Sequence, residues 1–421
     1  MSKKYRILMF APAFAPFANP EAIVNSKLAL AFLNAGWEVD VISRNLADES
    51  TYNYGSGWIE PWLPLKRVTH ILEYTVGGRL RQFIGGLWGG LRMGYVIGGC
   101  RWAAHAYDVG LRLHREKQYD LIISRALPSS AHLPAMKLSV DTNVSWIANW
   151  NDPWEFLRDS IVKGDLRKNI GYFEAIFCEN VGKSASWHTF PSEKLRHKMC
   201  QYLGSKILER SSVVPHAALP AISSLMPTDH KIFRIAFAGR LWKYQSPKIF
   251  LKSLASFIKK INGYNHVNFL FIGIDDNNIQ DLAISFGIDS IIQYIGKQKY
   301  SETLSILSKC DVLLIIDPPD SDGVILTSKL VDYAQTGRPI LAITTRFSTS
   351  DEIITNYGGG IAVDCHSSEA IINALIELYS HWEKNTLDEK YGSHRLYNIF
   401  SPETVVDKYK KIFLQIGAGA L

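Results

Sequence analysis

The sequence predicts an α/β protein made of two Rossmann-like, doubly wound parallel-sheet domains. Three observations carry this expectation. Strand-like runs alternate with helix-like ones from end to end. Those strand runs are apolar throughout, as parallel strands covered by helices on both faces must be. The chain, at 421 residues, is too long for one ordinary core and suits two domains of about 200 residues each. Apolar residues make up 47% and charged residues 20%, which excludes a largely disordered chain. The formal charge of +6 suits an anionic substrate or a membrane surface but is too small to argue for nucleic acid, and no nucleic-acid partner is expected. Cys100, Cys178, Cys200, Cys310 and Cys365 lie far apart without a C-x-x-C pair, the pattern of reduced structural thiols in a cytosolic protein.

The elements follow in order. "MSKKYRILMFAPAFAPFA" has the basic start and apolar middle of a signal peptide. The stretch after it, "AIVNSKLALAFLNAGWEVDVIS", reads instead as a helix with Leu28, Ala31 and Phe32 on one side, closed by Gly36 and followed by a strand. That makes a β-α-β unit whose first strand is 6–10. Further strands are expected at 38–42, 120–124 and 144–150 in the first half, and at 233–239, 267–273, 291–296, 311–317 and 340–344 in the second. The change of domain is expected between 215 and 216, in "VVPHAALPAISSLMPTDHK", whose three prolines look like a linker. The domains are therefore 1–215 and 216–400. The last helix, within 401–421 and carrying Val405, Tyr409 and Phe413, is expected to pack back on the first.

A helical insert at about 55–115 interrupts the pattern. Its segment 76–107 contains no Asp or Glu, and sets Arg79, Arg81, Arg92 and Arg101 among Phe83, Leu87, Trp88, Met93, Tyr95 and Trp102; Trp58 and Trp62 lie upstream. Such a stretch suits a helix lying in a membrane interface, with rings in the acyl boundary and cations at lipid phosphates. Its glycines also allow an internal helical hairpin. No apolar run reaches the roughly 20 residues a spanning helix needs.

"DVLLIID" ends a strand at Asp317, and a helix begins near Thr327 or Ser328, both good N-caps. Ligands in parallel sheets bind beyond the carboxyl ends of strands, and open N–H groups at a helix start suit a diphosphate. Lys329 adds a charge there. Asp332, one turn on, can accept two hydroxyls of a ribose; Gly337 and Pro339 end the helix. The plainer reading leaves Asp332 complementing the helix dipole and Lys329 solvated. "FAGRLWKYQSP" places Gly239 and Arg240 directly after another strand, where backbone and guanidinium can approach a phosphate.

Together these segments resemble the retaining GT-B glycosyltransferases known as group 1 or family 4, and the resemblance covers nearly the whole chain in order. "RILMFAPAFAP" resembles the first strand and loop of that family, and "FLNAGWEVDVIS" its next helix and strand. "YDLIISRALPSSAHLPA" and "WIANWNDPWEF" are similar to a divergent subgroup with a D-P-W motif. "VVPHAALP" resembles the turn between domains, "SKLVDYAQTGRPILA" the family's "gKl.EYla.GrPvla", and "GGGIAVDCHSSEAIINALIELY" its penultimate strand and helix. The resemblance implies two domains facing across a cleft, with the nucleotide-sugar held mostly by the second. It implies that Asp332 grips the ribose, that Arg240 and Lys329 stabilise the departing diphosphate, and that Lys297 and Gln298 lie where the base is read. Gly239, Lys243, Thr327 and Ser328 complete the expected donor site. Glu21 and Asn25 are expected at the acceptor, and Asp152 as a catalytic contact, against its reading as a turn residue before Pro153.

Two positions depart from the family. Val324 stands where the first Glu of the E-x7-E pair is expected, and Asn151 where the family has a His. The resemblance implies a metal-independent transferase without a cofactor, using a UDP- or GDP-sugar donor and a lipid-linked or growing glycan acceptor, at the cytoplasmic face of the plasma membrane in bacterial surface polysaccharide synthesis. A silent subunit scaffolding a partner transferase, and an epimerase, are the competing expectations. No P-loop, H-E-x-x-H or zinc-type spacing is present, and His132, His188 and His216 read as ordinary polar residues.

Overall fold

The structure is a computed structural model that describes residues 4–15, 17, 19–44, 68–71, 79–154, 172–222, 231–241, 245–273, 279–319 and 322–417. The chain divides into two compact units. Unit 1 carries the described residues up to Ala217 and again from Pro402 onward; unit 2 runs from Ala218 to Ser401.

Unit 1 is built on a seven-stranded sheet in the order β3-β2-β1-β4-β5-β6-β7. The strands are β1 (Arg6–Phe10), β2 (Glu38–Arg44), β3 (Val68–Ile71), β4 (Leu121–Ala126), β5 (Trp146–Trp150), β6 (Trp187–Phe190) and β7 (Ser211–Val213). Every pairing is parallel. Sheet 2 has six strands in the order β10-β9-β8-β11-β12-β13: β8 (Phe233–Ala238), β9 (Val267–Ile272), β10 (Ile292–Tyr294), β11 (Val312–Ile316), β12 (Ile340–Thr344) and β13 (Gly360–Asp364). It too is parallel throughout. The core lies on both faces of this sheet. Ile235 and Phe237 belong to one cluster, and their neighbours Ala236 and Ala238 to the other, as the two-residue period of a strand requires.

In both sheets the chain order reverses beside the first strand, between β1 and β4 and between β8 and β11. That reversal opens a crevice at the carboxyl ends of the strands, where doubly wound sheets hold ligands.

The region expected as a helical insert contains β3, which pairs with β2, and the helix Cys100–Lys117, which packs on the sheet and buries Trp102, Ala103, Ala106 and Tyr107. That helix is therefore an ordinary crossover before β4. The helix Arg79–Met93 lies against it on Gly89, where a Cβ would meet the Arg101 backbone nitrogen at 2.6 Å. Its other side exposes Leu80, Phe83, Ile84, Leu87 and Leu91 at helical spacing. Trp58 and Trp62 lie outside the described residues. The helix Pro402–Gln415 covers the Tyr5, Phe32 and Trp37 rings with Tyr409 and Phe413, at centroid separations of 4.9–5.1 Å.

Candidate functional site

Unit 2 gathers one group of polar residues at the ends of β8 and β11. The chain leaves β8 at Gly239, whose φ of +113° favours glycine. A Cβ there would lie 3.1 Å from Lys329 Cε, so the bare backbone makes room for the lysine stem. Lys329 occupies the first turn of the helix Ser328–Thr336. Its ammonium lies 5.3 Å from the centroid of the Phe237 ring. Burial lowers its pKa, while Asp317 and then Asp332 favour its charged form. Asp317, just past β11, accepts a hydrogen bond from Thr344 Oγ1 at 2.8 Å. Burial raises its pKa against the opposing effects of Thr344, Ser350 and Lys329. Asp332 accepts from the Tyr300 hydroxyl at 2.6 Å. Burial, then Asp332, holds that phenol well above its ordinary range, so it remains a donor.

The helix start has no side-chain cap. Thr327 is the N-cap, yet its side chain makes no capping hydrogen bond, and Ser328 is the first helical residue. The helix thus starts where the sequence placed it, near Thr327 and Ser328. The helix stops at Gly337, with φ +75°, and the next residue anchors the turn. Arg338, 2% exposed, donates to Ser308 O at 2.9 Å and to Asp388 at 2.8 Å.

The other donor-side candidates are placed less tightly. Arg240 and Lys297 are exposed. Gln298 spends its amide on Ile295 O at 3.1 Å, closing its own turn. Lys243 lies outside the described residues. Val324 is buried, so the position of the missing Glu is filled by an apolar side chain. Asp317 also borders a cavity of about 380 Å³ lined by Lys248, Lys252, Pro319, Cys365 and His366. There Asp364, Cys365 and His366 bring three potential metal-ligating atoms within 4.8 Å of one another. Asp364 Oδ1 already accepts the His366 N–H at 2.9 Å.

Unit 1 gathers a second group at the ends of β1, β4 and β5. Glu21 and Asn25 come from the helix Pro20–Asn34, Arg125 from β4, and Asn151 and Asp152 from the turn after β5. Asn25 donates to Ala13 O at 2.8 Å and to Glu21 Oε1 at 3.3 Å, and accepts from Arg125 Nε at 2.7 Å. Asn151 Nδ2 donates to Asn25 Oδ1 at 3.2 Å and makes a short contact with Glu21 Oε1. Burial, then the neighbouring Asp152, pushes the Glu21 carboxyl up to about 8, although Arg125, Asn151 and Asn25 oppose the shift. Burial lowers the Arg125 pKa.

Trp154 of the D-P-W motif is buried against Trp150 and Phe177, which ties the Asp152 turn to the core. Beneath it His132 and His188 are fully buried, and burial takes both down to about 3, so both are neutral. His132 Nδ1 pairs with Ser124 Oγ at 2.7 Å, and His188 Nδ1 accepts from Trp150 Nε1 at 3.3 Å.

Sequence reasoning missed Arg125, Tyr300 and Asp317. Nothing near Arg125 or Tyr300 in the chain marks them, because their partners lie 100 and 32 residues away. Asp317 was legible as a strand end, and its position beyond a parallel strand was the available signal.

Residues 232–381 match the family model described as glycosyl transferases group 1. The D-inositol 3-phosphate glycosyltransferase of Corynebacterium kroppenstedtii is 26% identical over 151 residues, 34% of this chain and 32% of that protein, so the match spans about a third of its length. Among solved structures, the sucrose-phosphate synthase of Thermosynechococcus elongatus superposes with a TM-score of 0.68 at 14% identity, covering 99% of this chain and 100% of that one. Anabaena Alr3699/HepE in complex with UDP and glucose gives 0.64 at 12% identity, covering 97% and 99%. WaaG, a glycosyltransferase involved in lipopolysaccharide biosynthesis, gives 0.61 at 13%, covering 97% and 99%. At such identities the likeness is one of fold. Residues 232–381 are a group 1 glycosyl transferase domain, and the chain that carries them has the GT-B fold of two parallel α/β sheets.

Proposed function

We propose that the protein is a retaining glycosyltransferase that moves a sugar from a UDP- or GDP-sugar to a lipid-linked or growing glycan acceptor in bacterial surface polysaccharide synthesis. The observation that carries this reading is Lys329, a half-buried cation in the first turn of a helix whose N-cap side chain makes no capping hydrogen bond. A diphosphate satisfies both needs, because it brings negative charge to the ammonium and acceptors to the N–H groups. Asp332, steadied by Tyr300, takes the ribose hydroxyls. Arg240, exposed after β8, adds a second cation for the leaving diphosphate, whose stabilisation is the main electrostatic work of such a transfer. The proton of the attacking hydroxyl goes to that phosphate, so no nucleophilic side chain is needed. Asp152, Glu21 and Asn25 act on the sugar and acceptor side. UDP in the HepE complex and the lipopolysaccharide role of WaaG support the donor class and the pathway.

The exposed apolar stripe of Arg79–Met93 supports a peripheral place on the inner face of the plasma membrane. Among the described residues no helix is long and apolar enough to cross a membrane. Arg79 and Arg81 are the cations this contact would use, since Arg92 is paired with Asp108 at 2.8 Å.

A thermal-shift screen with UDP, GDP, ADP, TDP and CMP tests the donor site. A nucleotide at a hundred times its dissociation constant should stabilise by about 2.7 kcal/mol, and Lys329→Ala should lose most of that gain. Silence toward all of them overturns the reading in favour of a scaffold subunit, the alternative suggested by Val324 and Asn151 at the two departures.

A further inference from the structure

The unit 1 cluster has a residual bonding capacity that can be counted. Arg125 can only donate, so the atom of Asn25 facing Arg125 Nε at 2.7 Å is its oxygen. That fixes the Asn25 amide, whose nitrogen then serves Ala13 O and Glu21 Oε1. Because Asn151 also meets Asn25 Oδ1, at 3.2 Å, its own facing atom must be nitrogen. Both Asn151 hydrogens are thereby spent, on Asn25 and on Glu21 Oε1. Two groups are left over. Asn151 Oδ1 is buried with no hydrogen-bond partner among the described residues, and Asn151 is 2% exposed. The second oxygen of Glu21 is the other.

We propose that Glu21 and Asn151 together recognise one hydroxyl of an uncharged sugar, Glu21 as hydrogen-bond donor and Asn151 Oδ1 as acceptor. A hydroxyl both accepts and donates, so it complements this pair, whereas a phosphate or carboxylate offers Asn151 Oδ1 no proton. The place fits a ligand, since the pair lies beyond the carboxyl ends of β1 and β5, beside the reversal of strand order. The chemistry of Glu21 supports the donor role: with its carboxyl pushed up to about 8 by burial and by Asp152, it keeps its proton at neutral pH. Arg125, Asn25 and Asn151 are the other groups facing it. The sugar's identity as acceptor or transferred sugar rests on the glycosyltransferase reading above.

The test compares wild type, Glu21→Gln and Glu21→Ala as full-length protein at about pH 6.5 and about pH 9.5, either side of the Glu21 value. One assay follows nucleoside diphosphate release from UDP-glucose and GDP-mannose, with methyl α-glucoside as acceptor. Wild type should lose about tenfold or more in kcat/KM at the higher pH, where Glu21 becomes a second acceptor. Glu21→Gln keeps a donor that does not ionise, so its alkaline fall should be severalfold smaller than that of wild type, the remainder coming from groups all three proteins share, such as Lys329. At the lower pH Glu21→Ala should fall roughly tenfold or more below Glu21→Gln. Whether KM rises for the nucleotide-sugar or for the glucoside tells whose hydroxyl is read. An alkaline fall in Glu21→Gln as large as that of wild type, or Glu21→Ala equal to Glu21→Gln, overturns the proposal.

No release from either donor by any of the three proteins would count against the transferase reading and leave the second assay to decide. That assay is the rise in Tm given by methyl α-glucoside alone. Retained at the higher pH by Glu21→Gln but lost by wild type, it upholds the hydroxyl site; no rise in any protein means an internal water only and overturns it.

Discussion

Lys329 is a charge held between opposing influences. Leaving water disfavours its ammonium, and two carboxylates, Asp317 and Asp332, favour it. Gly239 is part of the same arrangement, since an alanine there would strain the backbone and crowd Lys329 Cε. Tyr300 acts on Asp332 rather than on phosphate, because its hydroxyl donates to Oδ1 and so orients the carboxylate. Lys329→Ala is expected to slow turnover by roughly a hundredfold or more, the effect of losing one preorganised donor. Tyr300→Phe is expected to raise the donor KM severalfold while kcat changes little, because it loosens ground-state binding. Steady-state kinetics with the donor found in the thermal screen checks both. An unchanged donor KM in Tyr300→Phe removes Tyr300 from the site.

At the scale of elements, legibility follows how local the signal is. The helix Ser328–Thr336 could be read because its marks are adjacent: Thr327 before it, Gly337 in the left-handed region after it, then Pro339. β12 runs over the five residues expected, since "ILAIT" is wholly apolar and punctuated at its start. β3, β6 and β7 escaped notice because "VTHI", "WHTF" and "SSV" are short and mix polar residues into the strand. Glu21 and Asp152 could be singled out individually, but their effect on each other could not, because the fold brings together residues that lie far apart in the chain.

The helix Arg79–Met93 tests the element scale directly. Leu91 is 85% exposed and Phe83 64%, on a face without a carboxylate. Phe83→Glu with Leu91→Glu should abolish flotation with vesicles containing anionic lipid, and wild-type binding should weaken as salt rises. Equal flotation of the variant would exclude this face as the membrane contact.

At the scale of the molecule, the two sheets repeat one strand order, and each collects its polar groups beside the first strand of that order. The units differ in how the chain closes them. Among the described residues unit 2 is contiguous from Ala218 to Ser401, whereas unit 1 draws on residues from either side of it. Val405, Tyr409, Ile412 and Phe413 are all buried in it. At about 2 kcal/mol for each such side chain, their burial rivals the whole stability of an ordinary domain. A fragment of residues 218–401 should therefore melt cooperatively by circular dichroism, and a fragment ending at Ala217 should not. Cooperative melting of the shorter N-terminal fragment at the full-length temperature would show that the last helix contributes little.

The returning helix also sets an order of events during synthesis. The Tyr5, Phe32 and Trp37 rings leave the ribosome long before Tyr409 and Phe413, which cap them and follow the whole of unit 2 in the chain. Until then the nascent chain carries an uncapped oily cluster past the completed second half, and it is in that interval that a chaperone would find something to hold.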